Sequence, residues 1–599
     1  MEMNTGDYAV IIAILVYFMV VLIIGFSYAR RANKSSSEYF LGGRKVGPWF
    51  TALSAEASDM SGYLLMGLPG LAYFTGAADA GWTVIGLAAG TYLNWLLVAK
   101  RLRRYSEKAG DSITLPGFYS NRFHDNKNVI STIAAVIILI FFCVYTGSCF
   151  VTCGKLFNTL FGMDYTVMMI FGAIIVFLYT MVGGYLSVVA TDFVQGCLMF
   201  FALAVVVIGS ITMAGGVDNT AAFLSDIPGY LSMVQTAVPE VDAEGIQYAI
   251  GGAPIFGIPA EYGLLTIVST LSWGLGYFGM PQVLVRFMGI RNDSEIATSR
   301  RIAIVWVVIS MFCAIMIGLI GRYLLPTQFL SQSAAESIFI VLSQVMLPGF
   351  LCGLVVSGIL AASMSSASSY LLITGSSVAE NIFRGVFKKD ATDNQVLIVS
   401  RITLAAVLLF GIAVAWSEDS VIFTVVSYAW AGLGASFGPL TLFSLYWKRA
   451  TKSGAIAGML TGAIAVIVWH NFIKPLGGVF GIYELLPAFI LSCLAIVVFS
   501  LLSKEPEPAV QYEFDHYMDE ELVDRHLDAV LEGGIPLKGV NMPVESPIHP
   551  DEAEKVEEKD PITFKEGVVA DAHGETLTRS AETKDEKAEE TITIEDKPE

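Results

Sequence analysis

The sequence predicts an all-α polytopic membrane protein with thirteen transmembrane helices. Of 599 residues, 54% are hydrophobic and only 15% are charged, whereas a soluble chain carries about a quarter charged residues. Long, largely uncharged runs recur from Tyr8 to Leu502, each of the roughly 18 or more residues that a helix needs to cross the bilayer. A porin-type barrel would show short alternating segments instead, so a helical bundle is what satisfies the backbone in lipid. The lipid bilayer is therefore the first partner the sequence implies.

The spans fall at about 8–28, 47–73, 79–99, 128–156, 164–182, 187–214, 260–284, 302–324, 340–378, 397–416, 420–446, 453–472 and 481–503. The first follows "MEMNTGD", which is acidic and not basic, and has no small-residue cleavage site. It is expected to be a retained helix and not a signal peptide. Loops 29–46, 100–127, 285–301, 379–401 and 447–452 together hold 23 Lys and Arg, against Lys155, Arg322 and Lys474 on the other side. Loop 215–259 has neither residue type. The positive-inside rule then places the N-terminus outside and the C-terminus in the cytoplasm of a plasma-membrane protein.

Net charge is confined to the end of the chain. Residues 505–599 hold 28 acidic and 9 basic groups, while 1–504 hold 26 and 27. The expected division is thus a membrane domain, 1–504, and an acidic cytoplasmic tail, 505–599. "EFDHYMDEELVDRHLDAVLEGG" spaces Phe514, Met518, Leu522, Leu527 and Leu531 as one amphipathic helix, with Gly533–Gly534 to end it. Its acidic face favours docking on the basic inner loops over anionic lipid. From about residue 545 the composition predicts disorder.

Other functions are excluded by what is missing. The seven cysteines lie in apolar spans without a CxxC pair, and four of six histidines fall in the tail, so no disulfide framework or zinc site is indicated. No nucleophile–base pair, phosphate loop, cofactor motif or nucleic-acid-binding pattern appears, and the tail carries no phosphoacceptor module that would make a sensor. The chain is expected not to be an enzyme and to need no cofactor.

Three spans carry polar interruptions. In 47–73, "SAEASDMSG" puts Asp59 twelve residues from Gly47, about 18 Å at a helical rise and so near the middle of about 30 Å of hydrocarbon. A carboxylate there costs about 2.5–3.5 kcal/mol on insertion scales and calls for a cation or a watered cavity. Ser58, Asp59, Ser61 and Gly62 favour a break in the helix, which frees backbone carbonyls suited to Na⁺. Glu56 shares the face of Asp59; its expected partner is a nearby cytoplasmic-side Arg or Ser. The second interruption is "LSWGLGYFGMPQ" in 260–284, with Trp273 and Tyr277 on one face and Gly274, Gly276, Gly279 and Pro281 around them. The third is "ILAASMSSASSYLLITGSS" in 340–378, with Ser365, Ser366, Ser368 and Ser369. A serine in a membrane helix commonly serves packing, but this cluster beside the break at Asp59 is read as ligands. The interruptions in the second and seventh spans, five spans apart, point to a secondary transporter with an inverted repeat.

"FLGGRKVGPWFTALSAEASDMSGYLLMGLPG", "WGLGYFG" and "VSYAWAGLGASFGPL" resemble the sodium/solute symporter family, in matching order over about residues 8–503. The resemblance is nearest to its proline-transporting members. It implies a LeuT-type core of five-plus-five inverted repeats, Na⁺ as coupling ion and L-proline as solute. It further implies Na⁺ ligation by backbone carbonyls of Ala57, Met60 and Ala362 and hydroxyls of Ser365 and Ser366, with Asp59 as the coupling carboxylate. Proline would lie near Ser61, Gly62, Tyr145, Trp273, Tyr277 and Pro281. Arg44 and Asp192 match further functional positions. Four residues depart from the family pattern: Ser366 stands for a usual Thr, Tyr63 for Trp, Met280 for Gln, and Glu56 for a small residue. Another small amino acid or carboxylate is the alternative solute.

Overall fold

The computed structural model describes residues 5–519 together with 578–583 and 586–591. Helices dominate, from α1 (Thr5–Ser27) onward. Gly47 and Pro48 start α2 (Pro48–Asp59), since proline lacks only an N–H that the first turn does not use. Helix α2 stops at Met60, whose ψ of 33° is not helical. A π-helical turn (Tyr63–Gly67) then leads into α3 (Leu68–Thr75). The predicted break at "SDMSG" is therefore present.

Next come α4 (Ala77–Leu97), α5 (Ala99–Lys108), α6 (Leu115–Arg122) and α7 (Val129–Phe161). Spans 164–182 and 187–214 join in one helical run, α8 (Tyr165–Met213), turned at Gly184 with φ 60° and ψ −164°. Only glycine takes those angles without strain. Straight, 49 residues would reach about 73 Å; Gly184 splits them into two arms.

The 260–284 region is interrupted as predicted. Helix α9 (Leu264–Leu271) tightens into a 3₁₀ stretch (Ser272–Gly279), Met280 is extended, and Pro281 opens α10 (Pro281–Gly289). Its glycines also serve packing: a Cβ on Gly274 would lie 2.2 Å from the Gly86 carbonyl oxygen of α4. Helix α11 (Ile296–Leu324) follows.

The 340–378 span differs from expectation in two ways. Pro348 forces Leu347 into an extended conformation, so the segment is two helices, α12 (Ile338–Met346) and α13 (Gly349–Ser376). The serine cluster itself does not interrupt α13. Ser365 and Ser368 turn their hydroxyls back onto the carbonyls of Ala362 (3.1 Å) and Ser365 (3.0 Å), a bond that lets serine sit inside a helix. The chain continues through α14 (Asp393–Val414), α15 (Ile422–Tyr446), α16 (Lys452–Val468) and α17 (Leu485–Leu502).

By length and composition, eight helices among the described residues can cross a membrane. The count is nine if α4 and α5, bent by 42°, form one span. The count is lower than thirteen because the interrupted 47–73 and 260–284 spans are too short to qualify singly, α8 counts once for two predicted spans, and α15 does not qualify.

Two units result, Met1–Asp519 and Glu520–Glu599. The first includes the start of the acidic tail as α18 (Pro508–His516). This part of the tail sits on basic segments of the membrane unit: Arg101 donates to the Tyr517 hydroxyl (2.8 Å), Lys108 to the His516 carbonyl (2.8 Å), and Arg122 lies over the Phe514 ring. Leu522, Leu527, Leu531 and Gly533–Gly534 lie outside the described residues. In the second unit, Thr578–Thr583 pairs antiparallel with Glu586–Thr591, within the stretch whose composition predicts disorder. Threonines at 578, 583 and 591 favour extended backbone, although a lone hairpin is marginal in water. The remainder of that stretch lies outside the described residues.

Candidate functional site

The last turn of α2 runs out at Asp59 among α4, α10 and α13, and its carboxylate is 4% exposed. The second interrupted helix supplies the groups that hold it. Tyr277 donates its hydroxyl to Asp59 Oδ2 at 2.7 Å, and Gln282 donates Nε2 to Oδ1 at 3.3 Å. Each break thus orients the other.

On the α13 side three of the predicted Na⁺ ligands, Ala57, Ala362 and Ser365, meet. Ser365 Oγ lies 2.7 Å from the Ala57 carbonyl oxygen and 3.1 Å from that of Ala362. Ser366, fully buried, has a hydroxyl with no hydrogen-bond partner. Met60 sits at the end of α2, its N–H donating to the Glu56 carbonyl at 2.9 Å. Carbonyl and hydroxyl oxygens at an interrupted helix are hard, neutral donors, and a buried hydroxyl without a partner is costly unless something binds it. Hard monovalent cations suit this donor set.

The predicted solute residues surround the same break. Ser61 Oγ accepts from the Tyr63 N–H at 3.4 Å, and Gly62 faces Thr152 of α7. Tyr145, also on α7, packs its ring 4.4 Å from that of Tyr370 on α13. Trp273 stacks on Tyr63 (5.8 Å) and Tyr483 (5.0 Å), with Phe423 tilted against it (5.4 Å). Tyr277 meets Trp430 edge-on at 5.0 Å, and Pro281 opens α10 immediately after the break. Phe423 is held from behind. Its N–H donates to Glu336 Oε1 (3.1 Å), and buried Lys155 pairs with Glu336 Oε2 (2.9 Å). Gln282, Phe423 and Tyr483 were not among the sequence-predicted site residues, whereas Tyr63 is one of the departures from the family pattern and bears on the solute pocket.

Asp192 belongs to a second buried cluster. Its Oδ2 accepts from Ser54 Oγ (2.6 Å) and from Arg286 Nη2 (3.1 Å). Arg286 also donates to Ser54 Oγ (3.0 Å) and Ser369 Oγ (2.6 Å). Four elements meet here: α2, the second arm of α8, α10 and α13. The charge pattern places Arg286 in an inner loop; it is instead fully buried in α10. The available signal is an arginine inside "MPQVLVRFMG" answering an intramembrane aspartate.

Arg44 is not brought to the site. It donates to Asp111 Oδ1 (2.8 Å), the Met288 carbonyl (2.6 Å) and the Ser112 carbonyl (3.0 Å), tying the segment before α2 to the end of α10. Glu56 has neither an Arg nor a Ser partner. The donor to its Oε1 is the Trp95 indole of α4, at 3.1 Å.

Carbonyl and hydroxyl oxygens and a carboxylate thus meet at the break in an apolar helix bundle. A profile of the Sodium:solute symporter family matches residues 39–462, and the chain belongs to that family, which makes it a sodium-coupled membrane transporter and not an enzyme. It is 41% identical over 514 residues to the Sodium/proline symporter of Staphylococcus aureus strain JH9, covering 85% of this chain and 95% of that one. The protein of that name from strain NCTC 8325 / PS 47 matches to the same extent. The fold is similar to that of a Na⁺-coupled sialic acid symporter solved substrate-bound and outward-open. The TM-score is 0.66 at 19% identity, with 84% of this chain and 100% of that one covered.

Proposed function

We propose that this chain takes up L-proline with Na⁺ by alternating access. The observation that carries the reading is the meeting of Ala57 and Ala362 carbonyls with Ser365 beside Asp59, in a chain 41% identical to Sodium/proline symporters. The architecture that goes with it has thirteen spans, with the N-terminus outside and the C-terminus inside. Its core is a five-plus-five inverted repeat opening with the interrupted helices at Met60 and Met280. The excess of Lys and Arg on one set of loops supports the orientation, and the matching breaks support the repeat.

In this mechanism Na⁺ joins Ala57, Met60, Ala362, Ser365 and Ser366, replacing the hydrogen bond that now links α2 to α13. Ordering the break brings Ser61, Gly62 and Tyr277 to one face of proline. Tyr145, Trp273 and Pro281 close around its ring. Conversion between outward and inward states is favourable only with both solutes or neither bound, which couples their fluxes. One Na⁺ entering down an inside-negative potential of about 100 mV supplies about 2.3 kcal/mol, roughly fiftyfold accumulation.

The test is uptake of labelled proline by proteoliposomes under an inward Na⁺ gradient, with a panel of unlabelled amino acids and small carboxylates as competitors. Proline is expected to compete best; stronger competition by another solute overturns the assignment, which Tyr63 and Met280 make the point to check. Ser365→Ala with Ser366→Ala is expected to raise the Na⁺ concentration for half-maximal uptake by about tenfold or more, the equivalent of one lost charge-assisted hydrogen-bonding group. An unchanged Na⁺ dependence rules these hydroxyls out as ligands.

A further inference from the structure

Glu56 has no part in the mechanism above, yet it is 1% exposed and one turn from Asp59 on the same face of α2. Trp95 serves its Oε1, while Oε2 has no hydrogen-bond partner. Two neighbouring elements leave oxygens in the same condition. On α4, Asn94 spends its Nδ2 on the Tyr277 carbonyl (3.0 Å) and keeps a partnerless Oδ1; the Thr91 hydroxyl, one turn earlier, is also unpartnered. On α10, Gln282 spends its Nε2 on Asp59 and keeps a partnerless Oε1. All of these side chains are buried.

Among the described residues, neither Glu56 nor Asp59 has a cationic partner; the guanidinium on α10, that of Arg286, spends Nε and Nη2 on Asp192, Ser54 and Ser369 and keeps a partnerless Nη1 that pairs with neither carboxylate. Buried carboxylates are paired, bind metal or take a proton, and buried acceptors are satisfied; a proton on Glu56 would leave the Asn94 and Gln282 oxygens without partners. One bound cation would meet both demands. The donors are carboxylate, carboxamide and hydroxyl oxygens, with no thiolate or imidazole, which selects a hard ion.

Resting on the symport reading above, we propose that Glu56, Asn94 and Gln282, with Asp59 and Thr91, form a second Na⁺ position. It lies on the side of α2 facing α4 and α10, whereas the first lies on the side facing α13. Asp59 then stands between two ions. With a second charge carried inward per proline, the electrical accumulation ratio is squared.

The test uses the full chain, purified and reconstituted, with ²²Na⁺ binding at equilibrium and the Na⁺ activation curve of proline uptake. Wild type is expected to bind two Na⁺ per chain with a Hill coefficient approaching about two. Glu56→Gln, which keeps shape and removes charge, is expected to bind one and to lower the coefficient to about one. Glu56→Gly, the family's small residue, should do the same. Equal binding in wild type and a folded variant overturns the second position, as does a single Na⁺ in wild type with Na⁺-driven uptake intact. Should neither variant fold, the wild-type count alone decides. Wild type with no Na⁺-driven uptake at all would instead overturn the symport reading.

Discussion

Asp59→Asn abolishes Na⁺-driven proline uptake, by at least about 100-fold, while the chain still inserts and folds. The size follows from what the substitution removes. Asparagine keeps the volume and one acceptor oxygen, so Tyr277 (2.7 Å) or Gln282 (3.3 Å) can retain a bond; packing at the break survives. The lost element is the negative charge that offsets a cation in a buried site, where hydrogen bonds and contacts to charged groups are each worth about 1.5–3 kcal/mol. About 2.7 kcal/mol of differential stabilisation is about 100-fold in rate. Tyr277→Phe removes only one donor to Asp59 and is expected to cost about tenfold. Uptake in proteoliposomes, normalised to folded protein by size-exclusion chromatography, measures both. Full Na⁺ stimulation in Asp59→Asn would remove this residue from the coupling mechanism.

How far the chain could be read in advance depended on which physical rule governed each segment. Hydrocarbon demands long apolar helices, so α1, α7, α14 and α17 fall close to their expected limits. The interruption at Met60 was legible because Ser, Asp and Gly compete with the helix, and the one at Met280 because Pro281 follows three glycines. The same reasoning failed at Ser365–Ser369, where side chains return their hydroxyls to the helix's own carbonyls and leave it continuous. The Asp59, Ser365 and Ala57 cluster was legible through motif resemblance. Ser54, Phe423 and Tyr483 were not, because only tertiary packing brings them into place; Ser369, expected from the sequence as one of the serine ligands, accepts instead from Arg286. Trp95 was hidden for another reason: apolar patterning counts an indole as hydrophobic and overlooks the N–H that reaches Glu56. Charge counting made the opposite error with Arg286, treating every arginine as an interfacial residue.

Arg286 and Asp192 give the second large effect, and a double substitution separates their two roles. Both side chains are fully buried, so Asp192→Asn or Arg286→Met alone strands its partner's charge, at a cost of about 3–5 kcal/mol. Each single variant is therefore expected to show a sharply lowered thermal transition and poor yield. Asp192→Asn with Arg286→Met leaves no charge behind, and replacing a whole buried pair is often neutral; stability should return to within about 1 kcal/mol of wild type. Transport is not expected to return with it. Through Ser54 and Ser369 the pair ties α2 and α10, which carry the interruptions, to α13 and the second arm of α8. Alternating access in an inverted-repeat core rocks one helix bundle against another, and a tie between these two pairs of helices is expected to set the balance between states. A double variant that recovers both thermal stability and Na⁺-driven uptake would make the pair structural only. Single variants as stable as wild type would mean that neither charge is buried as described. Stability regained without uptake assigns the Asp192–Arg286 pair to the transport cycle, where the bond from Arg286 to Ser369 links it to the helix that carries Ser365.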